Sequence, residues 1–350
     1  KKLFVGVLCV VLSLSVQGKE VNMTSPDGKY QFTLSDSGGQ LHYSLTWNGK
    51  QTVKPSLLGI NANVEWRDGL EIGTVDSSQK DTIWHPVYGE RSEIKDCYHA
   101  WKIVVNRQNG RDKLIFDVRA YDEGIAFRYH FPSGQYLKIT DEYTEYTMPE
   151  GTKAYFTPKA QTPYSYLPLE NWSGESDRPL LLTLADGGYV CLAEAQVVDY
   201  VRTKFNVSPT KKNTVISAMY GPVEDIAPYS TPWRVIMCAD KPGEILEHND
   251  ILLNLNPPCR IKDTSWIKPG KVMREVTLTT EGGKALVDFA VKRNLQYIHF
   301  DAGWYGFEYD KASDATTVTL DPRRNPKIDA LNLKEVVAYA KQHGIGVILY

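Results

Sequence analysis

The sequence has almost no net charge, because 42 Asp and Glu residues balance its 40 Lys and Arg residues. A strongly basic surface, which nucleic-acid-binding proteins normally present, is therefore not indicated, and we expect no nucleic acid partner. Intrinsic disorder is also excluded as the main state, since 42% of the residues are hydrophobic. The length of 350 residues allows roughly two globular domains.

Cysteine is scarce, and only four cysteines follow the first 18 residues: Cys97, Cys191, Cys238 and Cys259. Their spacings match no zinc-binding pattern. A chain of this length can form a hydrophobic core without disulfide bonds. We therefore expect buried free thiols, while a disulfide in an oxidising compartment stays an open alternative.

Several catalytic motifs are missing from the sequence. The scattered histidines form no HExxH pair for zinc, and no GxSxG motif offers a nucleophilic serine. Gly282-Gly283 lacks the Lys-Ser/Thr pair that completes a phosphate-binding loop. A zinc protease, a serine hydrolase of the α/β type and a P-loop nucleotidase are therefore unsupported.

Long apolar runs are missing except at the N-terminus. Lys1-Lys2 precede about 14 mostly apolar residues, Leu3–Val16, and small residues follow as far as Gly18. This run is shorter than the about 20 residues that a membrane-spanning helix needs. We therefore predict that residues 1–18 are a signal peptide, that the protein is exported to the periplasm and that it has no membrane span.

Residues 19–260 show the two-residue alternation that is typical of half-buried β-strands. Apolar and polar side chains alternate over residues 41–47, and Asn48-Gly49 then supplies a hairpin turn. The same alternation, separated by turn residues, recurs at 114–120, 125–131, 180–185 and 189–193. Many antiparallel strands with one buried face predict a large β-sandwich for residues 19–260.

The pattern changes after Pro257-Pro258. Helical spacing now alternates with short apolar runs, which gives predicted strands at 272–278, 296–300 and 345–350 and predicted helices at 283–294 and 333–340. This order is typical of a parallel α/β unit. We expect residues 261–350 to be the first part of a longer (β/α)8 barrel that is interrupted at Tyr350, and a small three-stranded sheet is the alternative.

The strongest local candidate for a functional site is the sequence from Asp301 to Trp304, directly after the predicted strand 296–300. In parallel α/β folds the carboxyl ends of the strands carry the site. A carboxylate can accept hydrogen bonds from two sugar hydroxyls, and an indole can pack on the apolar face of a sugar ring. We therefore predict that Asp301 and Trp304 bind a sugar, the alternative being a capping Asp and a packing Trp.

A second candidate is the loop from Tyr164 to Asp177. Glu170, Asn171 and Glu175 place oxygen ligands close together, and Ca²⁺ prefers such ligands. The spacing does not match an EF-hand, so a solvated acidic loop is the alternative at this stage.

The chain resembles glycoside hydrolase family 97, and the resemblance covers nearly all of the sequence after the signal peptide. It rests on short motifs in the right order: Thr24–Gly28, Val53–Gly59, Trp84–Glu90, Asp122–Tyr129, Glu194-Ala195, Val198–Tyr200, Thr231–Arg234, Leu253–Cys259 and Trp266–Lys271. It implies an N-terminal β-super-sandwich, a (β/α)8 catalytic barrel and a C-terminal β-domain. It also implies hydrolysis of α-glycosides with bound Ca²⁺, by inverting α-glucosidases or retaining α-galactosidases.

The resemblance further implies where the site residues lie. A Glu of the sandwich domain would bind Ca²⁺. A gap-free reading places that position near Ser165, which is a departure from the family because Ser is not a preferred ligand. Glu170 in the same loop is therefore the preferred choice, with Asn171 and Glu175 as alternatives. The catalytic carboxylates are expected beyond Tyr350, so no catalytic residue is assigned here and the 350-residue chain alone is expected to be inactive.

The resemblance also bears on the substrate. The sequence from Asp301 to Trp304 replaces a Glu-Gly-Trp of the α-glucosidases and is similar to α-galactosidase barrels, while Met273-Arg274-Glu275 stands where relatives carry aromatic residues. We prefer an α-galactosidase. An inverting α-glucosidase, a non-catalytic carbohydrate-binding protein and a sandwich lyase or mutarotase-like enzyme are the alternatives, and the oligomeric state is not predicted.

Overall fold

The computed structural model describes residues 18–108 and 110–350. The predicted signal peptide therefore lies outside the described residues except for Gly18. The chain forms two compact units, one reaching to Arg260 and the other running from Ile261 to Tyr350. None of the helices in the described part of the chain is both long and apolar enough to cross a lipid bilayer.

The first unit is built mainly of β-strands. In chain order they are β1 Glu20–Thr24, β2 Tyr30–Ser35, β3 Leu41–Trp47, β4 Lys50–Leu58, β5 Ile60–Ala62, β6 Val64–Trp66, β7 Leu70–Trp84, β8 Ile94–Arg107, β9 Lys113–Tyr121, β10 Gly124–Phe131, β11 Tyr136–Glu142, β12 Glu145–Thr147, β13 Lys153–Phe156, β14 Ser165–Pro168, β15 Glu175–Ser176, β16 Leu180–Thr183, β17 Tyr189–Ala195, β18 Thr203–Val207, β19 Thr214–Met219, β20 Val223–Ile226, β21 Tyr229–Ser230 and β22 Trp233–Ala239. Short 3-10 helices lie at Ser37–Gly39 and Leu169–Asn171.

These strands form three sheets. Sheet A has eight strands in the order β1-β2-β3-β4-β12-β19-β18-β15. Sheet B has ten strands, in the order β14-β13-β16-β17-β22-β10-β9-β8-β7 with β21 beside β10. Sheet C has four strands in the order β20-β11-β5-β6. Neighbouring strands are antiparallel, as in the pairing of Trp47 with Lys50 across the hairpin of β3 and β4.

The alternation of residues 41–47 correctly predicts β3 and its buried face. Every second side chain of β3 is buried, beginning with Leu41. Asn48 and Gly49 form the two-residue turn with positive φ angles of 49° and 77°. This conformation suits the twist of the two flanking strands, and Asn and Gly adopt it at low cost. The predicted hairpin is therefore confirmed.

Aromatic side chains join sheet A to sheet B. Phe32 and Tyr43, from sheet A, stack with ring centroids 5.2 Å apart. Tyr43 contacts Phe127 of β10 at 5.3 Å, and Phe127 contacts Phe116 of β9 at 5.5 Å. All four rings are buried in one core that both sheets share. The predicted antiparallel β-sandwich is therefore confirmed.

The core of the first unit also contains a network of buried charges. The Arg234 guanidinium donates from Nε to Glu142 Oε1 at 2.8 Å, and from Nη1 to Glu194 Oε2 at 2.6 Å. Arg178 Nε lies 3.4 Å from the same Glu194 oxygen. Burial raises the pKa of Glu142, but the charge and the hydrogen bonds of Arg234 outweigh burial, and the pKa is lowered overall. Glu142 is therefore an ionised carboxylate inside the sandwich.

Two short helices cover part of the outer face of sheet B, away from sheet A. They are α1 Pro242–Glu247 and α2 Asp250–Asn254. Ile245 and Ile251 of these helices share a second core with Trp233 of β22. The outer face of sheet B is therefore partly buried, which its strand pattern alone does not indicate.

The cysteines of the described residues are all free thiols. Cys191 and Cys238, on neighbouring strands of sheet B, are buried, whereas Cys97 is partly exposed and Cys259 is exposed. Burial raises the pKa of both buried thiols to about 12. The expectation of buried free thiols is therefore met at two of the four positions.

The second unit contains a parallel sheet, sheet D, with helices between its strands. Its elements are β23 Val272–Glu275, α3 Thr280–Lys292, β24 Tyr297–Phe300, α4 Leu333–Gln342 and β25 Gly346–Leu349. The strand order is β23-β24-β25, with both pairs parallel. Apolar side chains of α3 and α4, including Val287 and Val336, pack against Ile298 and Phe300 of β24. The predicted parallel α/β unit is confirmed, and its place in a barrel stays a prediction.

Candidate functional site

Asp301 lies directly after β24, at the carboxyl end of sheet D. Because β23 and β24 are parallel with Glu275 opposite Phe300, the end of β23 lies beside Asp301. Arg274 Nη2 is 2.9 Å from Asp301 Oδ2, and the backbone N–H of Ala302 donates to Asp301 Oδ1 at 2.8 Å. A carboxylate has about four acceptor positions, so Asp301 can accept further hydrogen bonds from a ligand.

Glu275 lies next to Arg274 but has a different role. Its side chain is buried. It accepts hydrogen bonds from the backbone N–H groups of Thr277 and Leu278 at 2.8 and 2.7 Å, and from the Thr277 hydroxyl. These bonds hold the loop between β23 and α3, so Glu275 stabilises the edge of the site and is not free to bind a ligand.

Trp304 is buried, with 5% of its surface exposed. Its indole N–H donates to the carbonyl oxygen of Tyr350 at 3.1 Å. The Tyr305 ring packs against its edge with a centroid distance of 5.0 Å. In this arrangement the indole fixes the loop that follows Asp301, and the predicted contact of Trp304 with a sugar stays a prediction.

The loop preceding Trp304 requires a glycine. Gly303 has a φ of +102°, a backbone conformation that residues other than glycine rarely adopt. A Cβ at this position would lie 2.5 Å from Cδ of Arg324. The Asp301–Trp304 sequence therefore forms a defined turn, which explains the spacing between the Asp and the Trp.

The acidic loop of the first unit places its carboxylates in different surroundings. Glu175 pairs with Lys204 at 2.8 Å, and Asp177 pairs with Arg202 at 2.6 Å. Glu170 lies in the 3-10 helix Leu169–Asn171 and is exposed. Within residues 18–108 and 110–350, Glu170 has no ion pair, and no group of three acidic, His or Cys residues forms a metal cluster. Of the three acidic side chains described in this loop, Glu170 is therefore the one whose carboxylate has no ion pair.

Arg274 is the residue of this site that the sequence prediction did not identify. Arg274 stands where relatives carry aromatic residues, and the sequence pattern alone gives it no role. The parallel pairing of β23 with β24 could have identified Arg274, because it places the last residues of β23 beside the first residue after β24. An Arg at the end of one strand and an Asp directly after the next then predict an ion pair.

Comparison with protein families gives a match to the model described as glycosyl-hydrolase 97 N-terminal, over residues 23–258. Among curated proteins, the chain is 25% identical to the retaining α-galactosidase of Bacteroides thetaiotaomicron over 406 aligned positions, covering 100% of this chain and 58% of that protein. It is 24% identical to a probable retaining α-galactosidase of Streptomyces bingchenggensis, covering 93% of this chain and 51% of that protein.

Among solved structures, the chain is similar to a glycoside hydrolase family 97 enzyme from Pseudoalteromonas sp. strain K8, determined in complex with panose. The TM-score is 0.83 at 23% identity, and the match covers 93% of this chain and 53% of that one. The chain thus spans about half the length of the curated relatives it matches. Because the family model spans more than half of its residues, the chain belongs to glycosyl-hydrolase family 97.

Proposed function

We propose that the protein hydrolyses α-glycosides and that α-galactosides are its preferred substrates. The observation that carries this proposal is the position of Asp301 at the carboxyl end of β24, beside Arg274 at the end of the neighbouring strand. Two relatives named as retaining α-galactosidases support the substrate class. The related structure with bound panose supports an oligosaccharide ligand.

The proposed roles follow from the contacts around Asp301. Its carboxylate accepts hydrogen bonds from two hydroxyls of the sugar, while Arg274 holds it in place. Trp304 is the second proposed binding residue, and its burial orients the loop that carries Asp301. We further propose that sheet D with α3 and α4 forms part of a (β/α)8 barrel, in which the carboxyl ends of strands carry the site.

Export to the periplasm stays part of the proposal. It rests on residues 1–18 of the sequence, which lie outside the described residues apart from Gly18. The unpaired thiols on the surface, such as Cys259, neither require nor oppose that location.

The proposal is tested by the substrate preference of the complete protein. We expect nitrophenyl α-galactoside to be hydrolysed with a kcat/KM at least about tenfold above that of nitrophenyl α-glucoside, since one well-placed hydroxyl contact is worth about 1.4 kcal/mol or more. Equal or faster hydrolysis of the α-glucoside would overturn the galactoside preference. Binding of both glycosides without hydrolysis would favour the alternative of a non-catalytic carbohydrate-binding protein.

We also propose that Ca²⁺ is bound with Glu170 as the ligand supplied by the sandwich. An exposed carboxylate without an ion pair fits that single role, whereas Glu175 and Asp177 are already paired with cations. A bound Ca²⁺ supplies positive charge that can polarise a glycosidic substrate. The chain's own contribution is to hold Glu170 in the short 3-10 helix Leu169–Asn171, which is anchored by the buried side chain of Leu169.

The variant Glu170→Gln is expected to weaken Ca²⁺ binding by at least about tenfold, because a carboxylate is replaced by a neutral amide. Calorimetric titration of the EDTA-treated complete protein with Ca²⁺ measures this affinity directly. Glu175→Gln is the matched control and should leave it unchanged, since Lys204 already occupies that carboxylate. Loss of Ca²⁺ binding in the Glu175 variant alone would show that the ligand assignment is wrong.

A further inference from the structure

A large cavity lies on the outer face of sheet B, beside the segment that follows α2. Its volume is about 850 Å³, within the range of small-molecule sites. Side chains of β7, β8 and β9 form one wall, among them Thr82, Trp84, Tyr98 and Arg119, and residues 253–259 form the other. All lining residues belong to the first unit, and Asp301 is not among them.

Arg119 presents unused hydrogen-bond donors to this cavity. Its guanidinium lies between the rings of Tyr98 and Trp233, at 4.7 and 4.9 Å from their centroids. It donates a long hydrogen bond of 3.4 Å to the Tyr121 hydroxyl. In the described part of the chain it forms no ion pair with a carboxylate. The two rings therefore hold Arg119 in position, while most of its N–H groups have no acceptor among the described residues and are open to a ligand.

Asp96 lies in the wall of the same cavity and is paired with Lys80. Its side chain is buried, with Oδ2 bound to Lys80 Nζ at 2.6 Å. Asp96 Oδ1 has no hydrogen-bond partner among residues 18–108 and 110–350. Because Oδ1 has almost no exposed surface, a ligand does not reach it, and Asp96 acts in the cavity wall by neutralising the charge of Lys80.

Gln196 and Trp84 complete the cavity. Gln196 has a φ of +55°, which is uncommon outside glycine, and its Oε1 accepts hydrogen bonds from Arg128 and Trp233 at 3.1 and 3.2 Å. Its amide nitrogen is thereby turned away from these donors. The indole N–H of Trp84 donates to Asn254 Oδ1 at 2.8 Å, which fixes the orientation of a half-buried ring.

We propose that this cavity binds a neutral oligosaccharide, at a site additional to the one around Asp301. A sugar hydroxyl can accept a hydrogen bond from the Arg119 guanidinium, and two neighbouring hydroxyls of one sugar can occupy its planar donor fork together. The half-buried indole of Trp84, which lines the cavity, suits the apolar face of a pyranose.

The first test fills the cavity without removing a buried group. Thr82 is exposed and lines the cavity, on the same side of β7 as Lys80 and Trp84, because side chains alternate along a strand. Thr82→Trp should therefore weaken binding of raffinose and maltotriose by at least about tenfold. Ile83→Trp is the matched control, since Ile83 is 62% exposed on the opposite side, and it should leave binding unchanged.

The titrations are made by calorimetry on the complete protein carrying Asp301→Ala, so that the site in the second unit does not contribute. Arg119→Lys keeps the charge but loses the planar donor fork, and we expect it to weaken binding by about fivefold or more. Persistent binding in the Asp301→Ala protein, lost with Thr82→Trp or Arg119→Lys, supports the proposal. Absence of binding to both trisaccharides, or equal binding in the Thr82 and Arg119 variants, overturns it.

These outcomes also separate this proposal from the proposed hydrolytic function. The cavity site predicts binding that survives the loss of Asp301, whereas the hydrolytic function predicts activity that depends on Asp301. A protein that hydrolyses α-galactosides but binds no sugar after Asp301→Ala overturns the cavity site and leaves the hydrolytic function in place.

Discussion

The variant Asp301→Ala is expected to lower kcat/KM for nitrophenyl α-galactoside by about 100-fold or more. A hydrogen bond to a charged group contributes about 1.5–3 kcal/mol, and two such bonds to sugar hydroxyls exceed the roughly 2.7 kcal/mol that corresponds to 100-fold. The loss should also leave Arg274 without its carboxylate partner, which adds to the effect. Steady-state kinetics on the complete protein measures the change.

The control for this variant is Asp329→Ala in the same unit. Asp329 is exposed and, within the described residues, makes no ion pair or side-chain hydrogen bond, so activity should not change. Asp301→Asn keeps the shape of the side chain but gives up the charge, and we expect an intermediate loss. An Asp301→Ala protein with nearly full activity contradicts the proposed role of Asp301 in substrate binding.

The variant Glu142→Ala is expected to lower the free energy of unfolding of the first unit by about 3–5 kcal/mol. Glu142 is fully buried and receives two hydrogen bonds from the Arg234 guanidinium, which is also buried. Removing the carboxylate leaves Arg234 with Glu194 as its remaining acidic contact in the network. Urea unfolding followed by circular dichroism measures the loss.

An exposed ion pair provides the matched control. Lys138 and Glu224 lie 3.0 Å apart at the surface of sheet C, where water screens the interaction, and Glu224→Ala should cause no measurable change. Replacing Glu142 and Arg234 together by Leu and Met should cost less than the two single variants combined, because no buried charge is then left unpaired. A loss below about 1 kcal/mol for Glu142→Ala contradicts the importance of the network.

The same network gives the first unit a defined dependence on pH. The folded pKa of Glu142 is lowered, so its stabilising contribution is complete above the ordinary pKa of a Glu side chain. This contribution is lost as the pH falls through the lowered value, because the unfolded chain then binds the proton more readily. The difference in unfolding free energy between the native protein and Glu142→Ala should therefore shrink in acid.

Much of the fold could be predicted because its strands are half-buried. Residues 41–47 alternate in polarity since one face of β3 meets the core and the other meets water. The change to helical spacing after Pro257-Pro258 likewise predicted the parallel unit from its amphipathic helices, α3 and α4. These signals are local, so a single sequence carries them.

The long hairpin of β7 and β8 and the helices α1 and α2 could not be predicted in the same way. Most side chains of β7 beyond Ile72 are exposed or only partly buried, so no alternation of polarity marks the strand. The helices α1 and α2 are short, and it is their packing on Trp233 that gives them a buried face. Their existence depends on tertiary contacts rather than on local propensity.

The charged residues of the buried network and of the Asp301 site were the hardest to assign from sequence. Glu142, Glu194 and Arg234 are far apart in the chain, and charged side chains are normally predicted to be exposed. The pairing of Arg274 with Asp301 depends on the register of two strands that a helix separates. Such information lies in the three-dimensional arrangement and not in any one segment.

The distribution of free thiols has a practical consequence for work on this protein. Cys191 and Cys238 are buried with raised pKa values, so they stay protonated and react slowly with alkylating or oxidising reagents. Cys259 is exposed and belongs to the wall of the cavity on sheet B. A maleimide fluorophore should therefore label Cys259 ahead of the buried thiols, which places an optical reporter at the rim of that cavity and makes a reductant advisable during purification.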